Sequence, residues 1–157
     1  MPTTAIQRYD EDFYGWTQDQ AAKLRRAAAS RVNLPDPVDF ENLAEEIESL
    51  GISQVRELYS RYVVLLTHLL KWEHQAKRRG RSWRNTVNTQ RREIAKLLSL
   101  SPGLKPRRAA ELADAYAAAR EVAAEQTKLS IERFPFACPY SLDQVEEKIW
   151  WPGQDQD

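Results

Sequence analysis

The sequence feature that most constrains the fold is a stretch of regularly spaced apolar residues between Ile52 and about Lys77. Apolar side chains recur there at every third or fourth residue, which places them along one side of an α-helix. The middle of the stretch is apolar nearly all round, as is typical of a helix at the centre of a bundle. No segment alternates apolar and polar residues as a half-buried strand does. The sequence therefore predicts an all-α protein with a central helix in this stretch.

The same spacing elsewhere predicts a compact helical bundle of about five main helices and a short C-terminal helix. The 157 residues contain no internal repeat and no linker of biased composition. A chain of this length can bury enough surface to form one core. We therefore predict a single all-helical domain over residues 1–157, with loosely ordered tails at 1–12 and 150–157.

Several residues mark the expected ends of these helices. Thr17 with Gln20 has the spacing of a capping box, as does Ser141 with Gln144 at the last helix. Gly51 is expected to end or bend the helix before it. That helix is expected to begin at Asp36-Pro37 and to bury its regularly spaced apolar residues, which are Phe40, Leu43, Ile47 and Leu50.

The composition indicates which compartment the protein occupies, but it says little about what the protein binds or catalyses. The single cysteine, Cys138, excludes an intrachain disulfide and favours a reducing compartment, so we expect a cytoplasmic protein. Residues 1–30 lack the apolar stretch of a signal peptide, and the longest apolar run, Tyr62–Leu70, is too short to cross a bilayer. We therefore expect no membrane association. Basic and acidic residues balance at 23 each, so attraction to a charged partner must come from local clusters.

The first such cluster is acidic. Residues 36–48 contain no basic residue and six carboxylates, which are Asp36, Asp39, Glu41, Glu45, Glu46 and Glu48. A helical projection places Glu46, and less clearly Glu48, at the edge of the predicted apolar face. A carboxylate in that position can bind a divalent cation or act as a general base. It can equally form an ion pair with an arginine of a neighbouring helix, and both interpretations stay open.

His68 is the histidine that the pattern singles out on the central helix. With Glu46 it is a candidate metal ligand, and with Glu46 and Glu48 a candidate catalytic residue of a metal-assisted hydrolase. The alternative is a histidine at the edge of the core that bonds a backbone carbonyl or a glutamate. The Glu-x-x-His spacing of di-iron bundles is missing. We therefore expect no cofactor, leave a divalent metal open, and do not decide whether the chain is an enzyme.

The second cluster is basic. Lys71–Arg92 contains eight lysines and arginines against one acid, Glu73. The candidate phosphate-binding residues share one flank of the predicted helix after Ser82, and they are Arg81, Arg84, Arg91 and Arg92. The alternative is that these arginines pair with the acidic helix, within the domain or across a dimer.

Four blocks of the sequence resemble a bacterial family known as domain of unknown function twenty-nine. The blocks are Asp12–Gln20, Glu41–Gly51, Leu65–Trp72 with Arg81–Trp83, and Cys138–Leu142. The Leu43–Gly51 and His68–Trp72 motifs are the most specific of them, and the similarity spans about residues 9–147. The resemblance implies a compact all-helical fold of small bacterial proteins. It implies no established activity and assigns no site residues.

Three functional hypotheses remain. The leading one is a non-enzymatic interaction module that binds another protein, or a second copy of itself, by matching an acidic face with a basic one. The second is nucleic-acid binding through the 71–92 segment. The third is the metal-assisted hydrolase described above.

Overall fold

The computed structural model describes residues 9–30 and 38–154, and within them it contains α-helices and short 3₁₀ turns but no strand. The α-helices are α1 (Phe13–Ser30), α2 (Phe40–His74), α3 (Arg81–Leu100), α4 (Arg108–Thr127) and α5 (Leu142–Glu146). The 3₁₀ turns are Ala76–Arg78, Pro102–Arg107 and Ile131–Arg133. The predicted all-α class is confirmed. In the described part of the chain, no helix combines the length and the apolar character that crossing a bilayer requires.

Within residues 9–30 and 38–154 there are four long helices and one short one, where about five main helices and a short one were expected, because α2 continues through Gly51. A Cβ atom at Gly51 would lie 2.3 Å from the Oγ1 atom of Thr17 on α1. Gly51 is therefore explained by the close approach of α1 and α2, and the expectation that the helix ends there was wrong, while a bend there stays a prediction. Asp39 precedes α2, and its Oδ1 accepts a hydrogen bond from the backbone N–H of Asn42 at 3.1 Å. The predicted start at Asp36-Pro37 lies outside the described residues.

Contacts along the chain divide it into two compact units. Of the described residues, the first unit comprises 9–30, 38–56 and 97–105, and the second comprises 57–96 and 106–154. The helix α2 contributes residues to both units. A single domain over residues 1–157 stays a prediction.

In the first unit, Asp12 fixes the start of α1. Its Oδ1 accepts hydrogen bonds from the backbone N–H groups of Gly15 at 3.1 Å and Gly103 at 3.0 Å. The helix therefore begins at Phe13, four residues before the predicted cap Thr17. Thr17 is instead fully buried and donates its hydroxyl to the carbonyl of Tyr14 at 2.6 Å.

The first half of α2 buries a different side from the one predicted. Ala44 is fully buried and Gly51 is buried, whereas Leu43 and Leu50 are 45% and 51% exposed. Small residues take the inner side because α1 approaches closely there. This rotation turns Glu46 to solvent, so its predicted position at the edge of the core was wrong.

The second unit is built around the second half of α2, as the apolar spacing predicted. The fully buried side chains of this half are Leu58, Tyr62, Leu65, Leu66, Leu69 and Leu70. Val87 of α3 and Ala119 of α4 are also fully buried. The last helix, α5, begins with the predicted capping box of Ser141 and Gln144.

Hydrogen bonds tie the C-terminal segment of the second unit to its helices. The carboxylate of Glu146 accepts a hydrogen bond from the hydroxyl of Tyr62 at 2.5 Å and one from Arg108 at 2.9 Å. Trp151 packs on Trp72 with ring centroids 4.3 Å apart. Loose order of residues 1–12 and 150–157 stays a prediction, and residues 1–8 and 155–157 lie outside the described range.

Candidate anion-binding site on α3

The basic flank of α3 follows from how this helix buries its apolar side. Val87, Ile94 and Leu98 are at most 7% exposed, and they share one side of the helix. The polar residues that project from the neighbouring flank are exposed. This basic strip, as we call it, consists of Arg81, Arg84, Asn85, Asn88 and Arg92.

A cavity of about 500 Å³ lies at the start of the basic strip. It is lined by Trp72, Arg79, Gly80, Arg81, Arg84 and Asn85. Its volume falls in the range of about 300–1,000 Å³ that is usual for ligand sites. Three guanidinium groups and one amide can therefore donate hydrogen bonds around a single space.

Trp72 gives this cavity a rigid aromatic surface. The guanidinium carbons of Arg79 and Arg84 lie 5.3 and 5.6 Å from the centre of its ring, within the range of cation–π attraction. Arg79 is fixed further, because its Nε donates to the backbone carbonyl of Trp72 at 2.7 Å. The arrangement holds two positive charges beside an apolar ring before any ligand arrives.

A second cavity, of about 330 Å³, follows along the same flank of α3. Its lining residues are Asn88, Arg91, Arg92 and Lys148. Lys148 comes from the segment after α5, so sequence position gave no indication that it belongs with α3. Only the packing of the C-terminal segment against α3 brings it there.

Arg91 is one of the four predicted phosphate-binding residues, and it is buried in the structure. It is 3% exposed, and its guanidinium donates to the carbonyls of Val145 at 2.9 Å, Trp150 at 2.8 Å and Gln144 at 3.2 Å. Burial lowers the pKa of Arg91 to about 10, and nearby Glu147 opposes this shift, so the group stays charged at neutral pH. Arg91 therefore anchors the C-terminal segment and its donors are occupied.

The exposed arginines of the basic strip have no carboxylate partner in the part of the chain that the structure describes. None of Arg81, Arg84 and Arg92 forms an ion pair there, and Arg92 donates only to the hydroxyl of Thr89 at 3.3 Å. Of the acidic cluster, Glu48 binds Arg25 of α1. This ion pair raises the pKa of Arg25, and it matches the predicted alternative in which a glutamate at the helix edge binds a neighbouring arginine.

The surroundings of Glu46, Glu48 and His68 explain each of these candidate metal residues separately. Glu46 is exposed and Glu48 is held by Arg25. Nδ1 of His68 lies 2.8 Å from the carbonyl of Val64, the arrangement expected of a histidine at the edge of the core. Burial lowers the pKa of His68, the bond to Val64 opposes this, and Lys71 lowers it further. Within residues 9–30 and 38–154, no three or more histidine, cysteine or acidic side chains are grouped so as to hold a metal ion.

The fold and this site define a helical protein with an arginine-lined cavity on one helix. The chain belongs to the family described as domain of unknown function DUF29, whose family model matches residues 8–151. This agrees with the resemblance drawn from the four sequence blocks.

The chain is also similar to a solved structure. The structure is a crystal structure of an α-helical protein of unknown function from Rhodospirillum rubrum ATCC 11170. It is similar with a TM-score of 0.74 and 26% sequence identity over 92% of each chain. A comparison with curated proteins gives no match. The comparisons therefore support the fold and the family, and they leave the function to be argued from the site.

Proposed function

We propose that this protein is a binding module that holds the phosphate backbone of a nucleic acid along the basic strip of α3. The observation that carries the proposal is that Arg81, Arg84 and Arg92 are exposed and have no ion pair among the described residues. Arginine is the side chain best suited to such contacts, because its planar fork of donors matches phosphate oxygens.

The length of the basic strip fits several consecutive phosphates. Arg81 to Arg92 spans about 16 Å of helix at about 1.5 Å per residue. Along the duplex axis one strand advances about 3.4 Å per phosphate, so this length is enough for the strip to reach more than one phosphate of a strand. Asn85 and Asn88 add neutral amide donors between the arginines. These contacts are to the backbone, so we expect little preference for base sequence.

The balanced net charge predicts modest affinity and a steep dependence on salt. Because the chain carries 23 basic and 23 acidic residues, only the local field of the strip attracts the ligand. Three arginine contacts give a slope of roughly −2 to −3 when the logarithm of affinity is plotted against that of salt concentration.

The test is fluorescence anisotropy with a labelled duplex and a labelled single strand of the same sequence. We expect Arg84→Gln to weaken binding at low salt by roughly five- to tenfold and to reduce the salt slope by about one. Arg26→Gln, which removes an exposed arginine of α1, is the matched control and should leave affinity unchanged. If the wild type binds neither strand at low salt, or if both variants lose affinity equally, the proposal fails.

A protein-interaction module is the second candidate, and it is the function that the charge pattern of the sequence favours. The observation that favours it lies in the first unit, where Leu43 and Leu50 are about half exposed beside exposed carboxylates. An apolar surface bordered by charge is typical of protein contacts. The identity of its partner is taken up below.

The metal-assisted hydrolase and the cellular location stay predictions. The hydrolase hypothesis is tested by metal analysis of gently purified protein, and retention of about one Mg, Mn, Fe or Zn ion per chain, lost on replacing His68, would support it. We propose a cytoplasmic location, which the single and half-buried thiol of Cys138 supports.

A further inference from the structure

The outer side of the first half of α2 presents an unusual mixture of side chains. Leu43, Glu46 and Leu50 follow one another at helical spacing and share one side of the helix. The two leucines are 45% and 51% exposed, and Glu46 is exposed. These three residues form what we call the acidic face.

The acidic face carries charge that its surroundings leave largely unpaired. Glu46 is exposed and forms no ion pair within residues 9–30 and 38–154, and Glu41 and Glu45, which lie on the opposite side of α2, form none there either. Arg25 binds Glu48 and attracts Glu45 only through its charge. A partner that covers the two leucines must therefore bring positive charge, because a buried unpaired carboxylate is costly.

The chain itself carries a surface of matching chemistry. The basic strip of α3 has three exposed arginines without an ion pair in the described residues, and Trp72 lines its first cavity. The hydrocarbon stems of arginine can cover leucine while the charged ends meet carboxylates. Pairing of two acidic faces would instead bring like charges together, which disfavours that arrangement.

We infer that the acidic face of one copy docks on the basic strip of a second copy. The inference uses the strip of the proposed function, so it has a consequence for that function: a nucleic acid and a second copy compete for the same arginines. Binding of nucleic acid should therefore separate the copies, and self-association should reduce the strip available to nucleic acid.

The first experiment is sedimentation velocity of the full chain over a range of protein concentrations, at about 0.05 M and about 0.5 M salt. We expect concentration-dependent association at low salt that dissociates at high salt. The paired substitution Leu43→Ser with Leu50→Ser should weaken it by roughly tenfold or more. Leu100→Ser, which alters a leucine that is 52% exposed on α3, is the control and should change nothing. A chain that stays monomeric at low salt, or that associates equally after the paired substitution, overturns the inference.

A charge swap tests the choice of partner surface. Glu46→Arg and Arg84→Glu should each reduce self-association, because each variant places like charges opposite one another. An equimolar mixture of the two variants should associate as the wild type does, since each contact is then between opposite charges. Both sites are exposed, and circular dichroism of each variant verifies that the helices are retained. If the mixture stays dissociated, the basic strip is not the partner of the acidic face.

The two proposals fail separately. If the swap restores association but the wild type binds no oligonucleotide, the docking inference stands and the nucleic-acid proposal falls. If oligonucleotide binds and the wild type never associates, the reverse holds. Adding the labelled duplex to associated protein should release single copies bound to DNA, and a larger complex that retains both copies would contradict the competition.

Discussion

Arg84 and Arg91 lie about two helical turns apart on the same helix, yet their surroundings differ completely. Arg84 is exposed beside Trp72, while Arg91 is 3% exposed and bonded to backbone carbonyls of residues 144–150. The difference arises because the C-terminal segment covers one part of the α3 flank and leaves the other open. A basic cluster read from sequence can thus contain both a binding residue and a structural one.

Replacing these two arginines should separate their roles most strongly. Arg91→Ala leaves several buried carbonyls without a donor, and we expect it to lower the free energy of unfolding by about 3 kcal/mol. Arg84→Ala should change it by less than about 0.5 kcal/mol, because the side chain is exposed. Urea unfolding followed by circular dichroism measures both. Equal losses in the two variants would mean that the open and covered parts of the flank do not differ.

The covering segment itself can be weakened at Trp151. Its ring packs on Trp72 and lies 5.6 Å from the guanidinium carbon of Arg91. Trp151→Ala should therefore lower the free energy of unfolding by about 2 kcal/mol. In a double-mutant cycle with Arg91→Ala we expect a coupling energy of about 1 kcal/mol. Strict additivity would show that Trp151 does not contribute to how Arg91 is held.

The smallest expected effect is on the pH dependence of stability, and it concerns His68. Burial lowers the pKa of His68, so the folded protein binds its proton less readily than the unfolded chain does. Its contribution to stability is present above the unfolded pKa of about 6.5 and is lost as the pH falls toward the lower folded pKa. His68→Gln should reduce the pH dependence of the unfolding free energy in that window. An unchanged profile from urea titrations at several pH values would argue against a buried neutral His68.

The sequence was sufficient for features that depend on local spacing. The central stretch of apolar residues became the buried half of α2, and Ser141 with Gln144 capped α5 as its spacing indicated. These signals are carried by residues within a few positions of one another, so a single chain segment contains all the information.

The sequence predictions that failed concern which side of a helix is covered by another segment of the chain. The projection of α2 favoured Leu43 and Leu50 because they are larger and more apolar than Ala44, but close approach to α1 selects the small residues. The same limit applies to Arg91, which became structural only through carbonyls more than fifty positions away in the chain. Lys148 joined the second cavity in the same way. The spacing of residues along one helix does not indicate which distant segments of the chain pack against it.

Because glycine has no side chain, Gly51 restricts how the outer surface of α2 can change in evolution. Thr17 occupies the space where a Cβ atom of residue 51 would lie, so a larger residue there requires α1 to move away or α2 to turn about its axis. A turn of α2 would reorient Leu43, Glu46 and Leu50 together, because all three lie on that helix. The identity of one inward residue thus determines which outward residues a partner meets, and natural variation at position 51 should be accompanied by variation across that face.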